Sequence, residues 1–341
     1  MINNNSFSYL KALIFEKKSF CITFHTSPDL DAICSGLALK KILLKKEKEV
    51  FIISPSKISD FLKNFIPKDE IIIIANEDEE LSKNIFINSD AIIFLDLSQK
   101  KRLDSVIENF FNQIESQKIV IDHHKNPDLS MGDVWIHDEE ASSTCEIIYD
   151  IICRLDFFSL IDKEIAEYIY TGIISDTGFF SHSNVTSSLF IKVSKLIDLG
   201  ISSSLISSKI KSSNNFLWIR FLGFLLSEKL NLYLDDKIAF VEIKEEEMRK
   251  YNIDYENIGD IVFYMLSIKS VEVAILAKEK GDDYKLSFRS KGNFDVANFS
   301  RKFFDGGGHF CAAGGIYMGE KKDVRKNILE LLKKELKNTI L

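Results

Sequence analysis

The sequence lacks cysteine pairs at the short spacings that zinc sites and dithiol redox motifs use. Its five cysteines include no CxxC pair and are scattered along the chain: Cys21, Cys34, Cys145, Cys153 and Cys311. An odd, scattered set is typical of reduced thiols rather than of a disulfide scaffold. We therefore expect a cytoplasmic protein.

The sequence also lacks an excess of positive charge and any long apolar run. It has 44 Lys and Arg against 51 Asp and Glu, and a net charge of -7. A protein that coats long DNA or RNA usually has a basic face, so we expect no such partner. No apolar run approaches the ~20 residues of a membrane span, and residues 1–20 lack the apolar core of a signal peptide. We expect no association with a membrane.

The chain has the length and the apolar content of a folded two-domain protein. It contains 341 residues, of which 45% are hydrophobic, and this suits two domains with sizeable cores. Heavy use of Ile, Lys, Asn and Phe is typical of an AT-rich genome and suggests a bacterial source.

Short apolar runs alternate with helical patterns in the first half of the chain. The runs are rich in β-branched residues and predict strands at Phe20–Phe24, Val50–Ile53, Ile71–Ile74, Ala91–Leu95 and Lys118–Ile121. A helical pattern such as Asp31–Lys46 lies between them. Apolar strands that alternate with helices predict an α/β domain with a mostly parallel sheet covered on both faces.

The second half predicts three helices, a Ser-rich segment and a smaller α+β domain. Apolar residues at helical spacing predict helices at Ser142–Leu155, Asp162–Ser175 and Thr186–Leu199. The Ser-rich Gly200–Asn215 is the best candidate for the interdomain connection, although its apolar residues could form a short helix.

The pattern after this segment predicts strands at Lys237–Ile243, Val271–Lys278 and Tyr284–Phe288, and helices at Glu256–Ile268, Phe294–Lys302 and Lys322–Leu336. We expect an α/β domain over residues 1–195, a linker over 196–224 and an α+β domain over 225–341.

Potential metal ligands follow the first predicted strand. His25, Asp29 and Asp31 lie in the loop HTSPDLD, which leads into a predicted helix. Ligands of open α/β sheets bind beyond the carboxyl ends of the strands. Either aspartate could instead cap the helix, and the loop alone does not decide between these interpretations.

Further acids and histidines recur at the ends of other predicted elements. Asp96 follows AIIFL, and Asp122-His123-His124 follows KIVI. Asp176 lies at the end of an apolar helix, where the helix dipole disfavours an acid unless positive charge neutralises it. Each could be a turn or cap residue by itself, but the combination predicts a shared site.

Histidine and carboxylate ligands suit Mn²⁺ or Mg²⁺ better than a thiolate-binding ion. Two such ions about 3.5–4 Å apart can share a carboxylate and clamp a phosphate oxygen.

A glycine-rich segment near the C-terminus offers a second candidate site. Gly306–His309 reads GGGH, and Arg289-Ser290 lies upstream. Glycines allow backbone N–H groups to approach an anion, and the guanidinium of arginine fits a phosphate. The alternative is a flexible turn and a surface arginine.

These motifs, in this order, resemble those of the DHH phosphoesterases. The matching segments are HTSPDLDA at His25–Ala32, the LD at Leu95-Asp96, the DHH at Asp122–His124 and TGIISDTGFF at Thr171–Phe180. FRS…GGGH at Phe288–His309 is similar to the substrate-binding loop of an attached DHHA1 domain. The resemblance covers nearly the whole chain. It is nearest to compact oligoribonucleases, pAp phosphatases and cyclic di-AMP phosphodiesterases.

The resemblance implies two divalent cations, with Mn²⁺ expected and Mg²⁺ as the alternative. The implied metal ligands are His25, Asp29 and Asp96 for one ion, and Asp31, Asp96, His123 and Asp176 for the other. It also implies catalytic roles for Asp122 and His124, with His124 steering the scissile phosphate or donating to the leaving oxygen. The implied substrate-binding residues are Arg289, Ser290, Gly307, Gly308 and His309.

Several functions remain open at this point. The first expectation is hydrolysis of 3′–5′ phosphodiester bonds in small adenine nucleotides, cyclic di-AMP and pApA. The alternative within the same chemistry is an oligoribonuclease and pAp 3′-phosphatase. The GGGH segment argues against an inorganic pyrophosphatase, and the complete set of ligands argues against an inactive nucleotide sensor or a structural α/β protein. Related proteins are often dimers, so a homodimer is also open.

Overall fold

The structure is a computed structural model that describes residues 4–212, 216–253, 258 and 261–339. The chain divides into two compact units, Met1–Ser213 and Asn214–Leu341, called here unit 1 and unit 2. Within the described ranges, no helix is both long enough and apolar enough to cross a membrane. Residues 213–215, at the end of the Ser-rich segment, lie outside the described residues.

Unit 1 is built on a six-stranded sheet in which neighbouring strands are parallel. The strands are β1 Ser19–Thr23, β2 Glu49–Ser54, β3 Ile72–Ile74, β4 Ala91–Leu95, β5 Gln117–Asp122 and β6 Val134–His137. All five predicted strands are confirmed. The sixth, β6, was missed because it is a short edge strand whose residues alternate between buried and half-buried.

The nine α-helices of the described part of unit 1 are α1 Asn4–Glu16, α2 Leu30–Lys45, α3 Asp60–Lys63, α4 Glu79–Asn88, α5 Ser105–Phe111, α6 Thr144–Arg154, α7 Lys163–Asp176, α8 Ser187–Asp198 and α9 Ser203–Lys211. Adjacent strand residues enter different cores, since Ile22 packs with α2 and α7 while Cys21 packs with α4 and α5. Both faces of the sheet are therefore covered, as predicted. The Ser-rich segment contains α9, with Ile206 buried, so most of it is helical.

The strand order places the carboxyl ends of β1 and β4 side by side. The sheet runs β3-β2-β1-β4-β5-β6, so the chain leaves β1 toward one edge and later returns to build the other half from β4. The crevice at such a switch point is where open α/β sheets bind ligands. His25 follows β1 and Asp96 follows β4, so the topology delivers both to this crevice.

Unit 2 has a mixed six-stranded sheet of order β11-β12-β10-β9-β8-β7. Its strands are β7 Asn231–Tyr233, β8 Ile238–Ile243, β9 Val273–Lys280, β10 Asp283–Ser290, β11 Gly307–His309 and β12 Ala312–Tyr317. Only β8 and β9 pair in parallel among these. Its α-helices are α10 Phe216–Phe224, α11 Glu245–Lys250, α12 Ile261–Ser267, α13 Val296–Phe303 and α14 Val324–Thr339. Helices α13 and α14 cover one face and α10 and α12 the other, which confirms the α+β class.

One helix prediction is confirmed only in part, and one prediction in this half needs correction. The predicted helix Glu256–Ile268 is confirmed over Ile261–Ser267, and its first turn falls within residues 254–260, of which 254–257 and 259–260 lie outside the described part. The GGGH segment is not a loop, because Gly307–His309 pairs with β12 as an edge strand. Gly308 has φ +142, and a Cβ there would lie 2.3 Å from the Ala312 carbonyl oxygen. Glycine lets the two strands approach this closely.

Candidate metal centre

The loop after β1 places three candidate ligands where α2 begins. Asp29 is the N-cap of α2, and its Oδ1 accepts a hydrogen bond from the Ala32 N–H at 3.0 Å. Its other oxygen lies 3.9 Å from His25 Nε2, and its side chain is half exposed. Asp29 can therefore cap α2 with one oxygen and bind a metal ion with the other. Asp31 lies in the first turn of α2 and is fully buried.

Asp96 lies between His25, which follows β1, and His123, which follows β5. Its φ is +54, a left-handed conformation that few non-glycine residues adopt, and its N–H donates to the Ile121 carbonyl at 3.0 Å. One carboxylate oxygen lies 3.1 Å from His25 Nε2, and the other lies 3.5 Å from His123 Nε2. Such backbone strain is concentrated at functional sites.

Asp122 shapes the turn that carries the two histidines. It is the last residue of β5, and its Oδ1 accepts hydrogen bonds from the N–H groups of His123 at 2.8 Å and His124 at 3.2 Å. The same oxygen lies 2.8 Å from His124 Nδ1. Asp122 therefore orients the imidazole of His124, while His123 points its Nε2 toward Asp96.

Asp176 completes the cluster from the end of α7. Its Oδ2 lies 3.2 Å from His123 Nε2. Helix α7 can pass close to Asp31 only because it has glycine at position 172. A Cβ on Gly172 would lie 2.2 Å from Cys145 Sγ and 2.7 Å from Asp31 Oδ1.

The six predicted metal ligands lie together at this end of the unit 1 sheet. Potential ligand atoms within 4.8 Å of one another define three groups: His25 with Asp29 and Asp96; Asp31 with His123 and Asp176; and Asp96 with Asp122, His123 and His124. The first group contains the residues of one implied ligand set, and the second contains those of the other set except Asp96, which is grouped with His123 in the third. The role of each residue at an ion stays a prediction.

The electrostatics of the cluster favour added positive charge. Burial raises the pKa of Asp31 well above its usual range, and Asp176 and Asp96 add to this. Burial by itself would lower the pKa of the histidines, but the carboxylates outweigh it. Asp96 raises the pKa of His25, and Asp176 together with Asp96 raises that of His123. The pKa of His124 rises to about 10 because Asp96 and Asp122 lie beside it.

The buried polar atoms give a second test of fit. The Nε2 atoms of His25 and His123 are buried, and although carboxylate oxygens lie 3.1 Å and 3.2 Å away, no contact within the described part of the chain has the direction of a hydrogen bond. Buried polar atoms normally have partners, and imidazole nitrogens and carboxylate oxygens are ligands of divalent cations. The residues present therefore fit divalent metal ions.

The sequence interpretation missed contributors that only the fold brings to the cluster. Thr144 Oγ1 donates to Asp96 at 3.0 Å, and the N–H groups of Thr144 and Cys145 donate to Asp31. Arg102 Nη1 lies 3.4 Å from His124 Nε2 and 3.4 Å from the Asp96 carbonyl oxygen. The S-x-x-E pattern of residues 143–146 signals the start of a helix but not what that start contacts.

The predicted substrate-binding residues lie together at one end of the unit 2 sheet. Ala312 of β12 pairs with His309 on one side and with Arg289 on the other. The side chain of His309 lies outside the described part of the structure. The Ser290 hydroxyl donates to the Phe294 carbonyl at 2.8 Å, so it supports the adjacent turn.

Arg289 is half-buried, and its Nη1 donates to the Phe288 carbonyl at 3.0 Å. Burial lowers the pKa of its guanidinium, and no carboxylate of the described residues forms an ion pair with it. This state suits an arginine that contacts an anion.

Comparison with known proteins agrees with this arrangement. Residues 19–173 match the model of the DHH family, N-terminal domain, and residues 235–338 match that of the DHHA1 domain. The bifunctional oligoribonuclease and PAP phosphatase NrnA of Bacillus subtilis is 28% identical, over 91% of this chain and 93% of that protein. The NrnA of Thermus thermophilus is 26% identical, over 92% of this chain and 89% of that protein.

A solved structure extends the likeness to the whole chain. The crystal structure of an exopolyphosphatase-related protein from Bacteroides fragilis has a TM-score of 0.92 and 30% identity to this chain. The match covers 100% of this chain and 99% of that one. The chain therefore belongs to the DHH/DHHA1 family of metal-dependent phosphoesterases.

Proposed function

We propose that this protein hydrolyses phosphoric esters of short linear nucleotides, acting as an oligoribonuclease and a pAp 3′-phosphatase with two divalent cations in unit 1. The observation that carries the proposal is the placement of Asp96. Its two oxygens face different histidines, His25 at 3.1 Å and His123 at 3.5 Å, and each histidine belongs to a separate group of potential ligands. A carboxylate shared in this way suits a pair of cations.

The ligand sets that we propose are those that the resemblance implies, and the groups of potential ligands support them. We assign His25, Asp29 and Asp96 to one ion, and Asp31, Asp96, His123 and Asp176 to the other. When bound, such ions acidify water and neutralise charge on a phosphate ester. Mn²⁺ is the first choice because the sets mix imidazole with carboxylate.

His124 is the group that we assign to the reacting phosphate. Asp122 Oδ1 lies 2.8 Å from its Nδ1, which fixes the ring and directs Nε2 to the other side. Arg102 Nη1 lies on that side, 3.4 Å from Nε2. An N–H at Nε2 would donate to a phosphate or leaving-group oxygen, and the charge of Arg102 would add to the attraction for the anion.

Unit 2 supplies the contacts that we assign to substrate binding. The Arg289 guanidinium has no carboxylate partner among the described residues, and Gly307 and Gly308 form the free edge of a sheet. N–H groups of glycine-rich backbone can bind phosphate closely, and an arginine fork matches phosphate oxygens. These contacts suit the phosphates of a nucleotide.

The choice of linear substrates rests on the names of the similar proteins. Both NrnA proteins described above, and a probable NrnA of Streptococcus mutans that is 25% identical over 96% of this chain, carry names that state oligoribonuclease and PAP phosphatase activity. These names favour the alternative over the first expectation from the sequence. Cyclic di-AMP as a substrate stays a prediction.

A substrate panel tests the proposal on the full-length protein. Metal-stripped protein is given Mn²⁺ or Mg²⁺ and then pApA, short oligoribonucleotides, pAp, cyclic di-AMP or polyphosphate, and products are resolved over time. We expect the linear nucleotides to be cleaved faster than cyclic di-AMP or polyphosphate. Preference for cyclic di-AMP would overturn the choice of substrate, whereas no hydrolysis of any compound with either ion would favour the nucleotide-sensor alternative.

A further inference from the structure

The start of α6 holds the Asp31 carboxylate, which is buried in the cluster. Ser143 caps this helix by accepting from the Glu146 N–H at 3.1 Å. The first N–H groups of a helix have no acceptor within it. Those of Thr144 and Cys145 donate to the two oxygens of Asp31, at 2.7 Å and 2.9 Å. The rotation of the Asp31 carboxylate is therefore fixed by backbone.

The side chain of Thr144 reaches the other central carboxylate. Thr144 is fully buried, and its hydroxyl donates to Asp96 Oδ1 at 3.0 Å. Threonine is branched at Cβ, so its χ1 angle is stiff and the hydroxyl keeps its direction at little entropic cost. One residue thus contacts both Asp31, in the first turn of α2, and Asp96, directly after β4.

This contact differs in kind from the other contacts of Asp96. His25 and His123 are assigned to metal ions, so their present approach to Asp96 would change on binding. A threonine hydroxyl carries no charge and does not titrate near neutral pH. It can hold one lone pair of Oδ1 while the remaining lone pairs face the ions.

We propose that Thr144 is a positioning residue of the metal centre, which holds Asp31 and Asp96 in the mutual orientation that two cations need. The inference rests on the proposed function, because it assumes that these carboxylates bind ions. Residues that orient metal ligands typically change metal affinity or activity by about 10–100-fold when they are lost.

Thr144→Val is the main test. Valine keeps the shape, the stiff χ1 angle and the backbone donors to Asp31, and removes only the hydroxyl. Thr144→Ser restores a hydroxyl. Thr171→Val is the matched control, because Thr171 is also buried but its hydroxyl donates to the Glu167 carbonyl of its own helix at 2.6 Å.

Mn²⁺ binding to metal-stripped, full-length protein is measured by calorimetry, and Tm is measured with and without Mn²⁺. We expect Thr144→Val to weaken Mn²⁺ binding by about 10–100-fold and to lose part of the Tm increase that Mn²⁺ gives to the wild type. Thr144→Ser should recover most of the affinity, and Thr171→Val should bind Mn²⁺ as the wild type does.

A purely structural role gives a different result. Thr144→Val would then lower Tm equally with and without Mn²⁺ and leave the affinity unchanged, which overturns the inference. If Thr144→Val does not fold, Thr144→Ser and Thr144→Ala are compared, and equal Mn²⁺ affinity of these two overturns it as well. A wild-type protein that binds no divalent cation contradicts the proposed function itself, which separates the two failures.

Discussion

The two units carry their polar chemistry in different ways. In unit 1, acids and histidines gather beyond the ends of β1, β4 and β5, where they contact one another and are mostly buried. In unit 2, the candidate groups are the backbone of the edge strand β11 and one half-buried arginine without a carboxylate partner among the described residues. Unit 1 thus has negative charge that needs cations, and unit 2 has donors that suit an anion.

Removal of divalent ions should give the largest effect. We expect dialysis against EDTA to abolish hydrolysis of pApA, because the unit 1 cluster then repels a phosphate. Adding Mn²⁺ should restore turnover more fully than Ca²⁺, which prefers longer and looser oxygen coordination. Turnover rates before and after dialysis measure this. Full activity in EDTA would show that hydrolysis does not need cations at the acidic cluster of unit 1.

Asp96→Asn should give the next largest loss. Asparagine keeps the shape of the side chain and tolerates the left-handed backbone of this position, φ +54, better than alanine does. We expect kcat to fall by more than about 100-fold, since loss of a ligand should cost more than loss of a supporting group. Asp60→Asn is the control, because the Asp60 side chain is 94% exposed. Near-normal turnover of folded Asp96→Asn would contradict the shared-ligand assignment.

A pair of glycine substitutions compares the packing of the two units. Gly172→Ala would press a methyl group against Cys145 and Asp31, so we expect unfolding free energy to fall by about 2–3 kcal/mol. Gly223→Ala in α10 of unit 2 meets nothing within 4 Å, and alanine should stabilise that helix by up to about 1 kcal/mol. Chemical denaturation of the full-length protein measures both. If both substitutions changed the unfolding free energy equally, α7 would have room for a methyl group at position 172.

Arg289→Ala should give the smallest effect, confined to substrate binding. We expect KM for pApA to rise about tenfold, with kcat changed much less, because a phosphate contact made before and during reaction mainly sets binding. The KM of Arg289→Lys should lie between those of the wild type and Arg289→Ala, since lysine keeps the charge but loses the two parallel N–H donors of the guanidinium. Mn²⁺ affinity, measured in parallel, should not change. A fall in kcat without a rise in KM would argue against the assignment to binding.

Much of unit 1 could be predicted because its signals are local. Apolar, β-branched runs are buried on both faces of a parallel sheet, and they predicted five of the six strands. Five of the six ligand candidates, all but Asp176, stood shortly after those runs, where the rule for strand ends applies. The Ser-rich segment was harder to interpret, because serine suggests a connection although Ile206 is buried in a helix there.

Unit 2 was less predictable at its candidate site. Glycines suggested a loop at Gly306–His309, whereas pairing with β12 makes a strand. Glycine has weak local preferences, so its conformation here depends on the neighbouring strand, which is a nonlocal contact.

The order of the elements, the two-domain class and the residues at strand ends could be read from the sequence, since each of these depends on neighbours along the chain. Which of these residues meet depends on the packing of distant segments. Asp31 and Thr144 are 113 positions apart, yet the Thr144 N–H donates to Asp31 at 2.7 Å. Arg102, Thr144 and Gly172 carry no local signal of their contacts with the cluster, because packing of strands and helices, rather than spacing, brings them there.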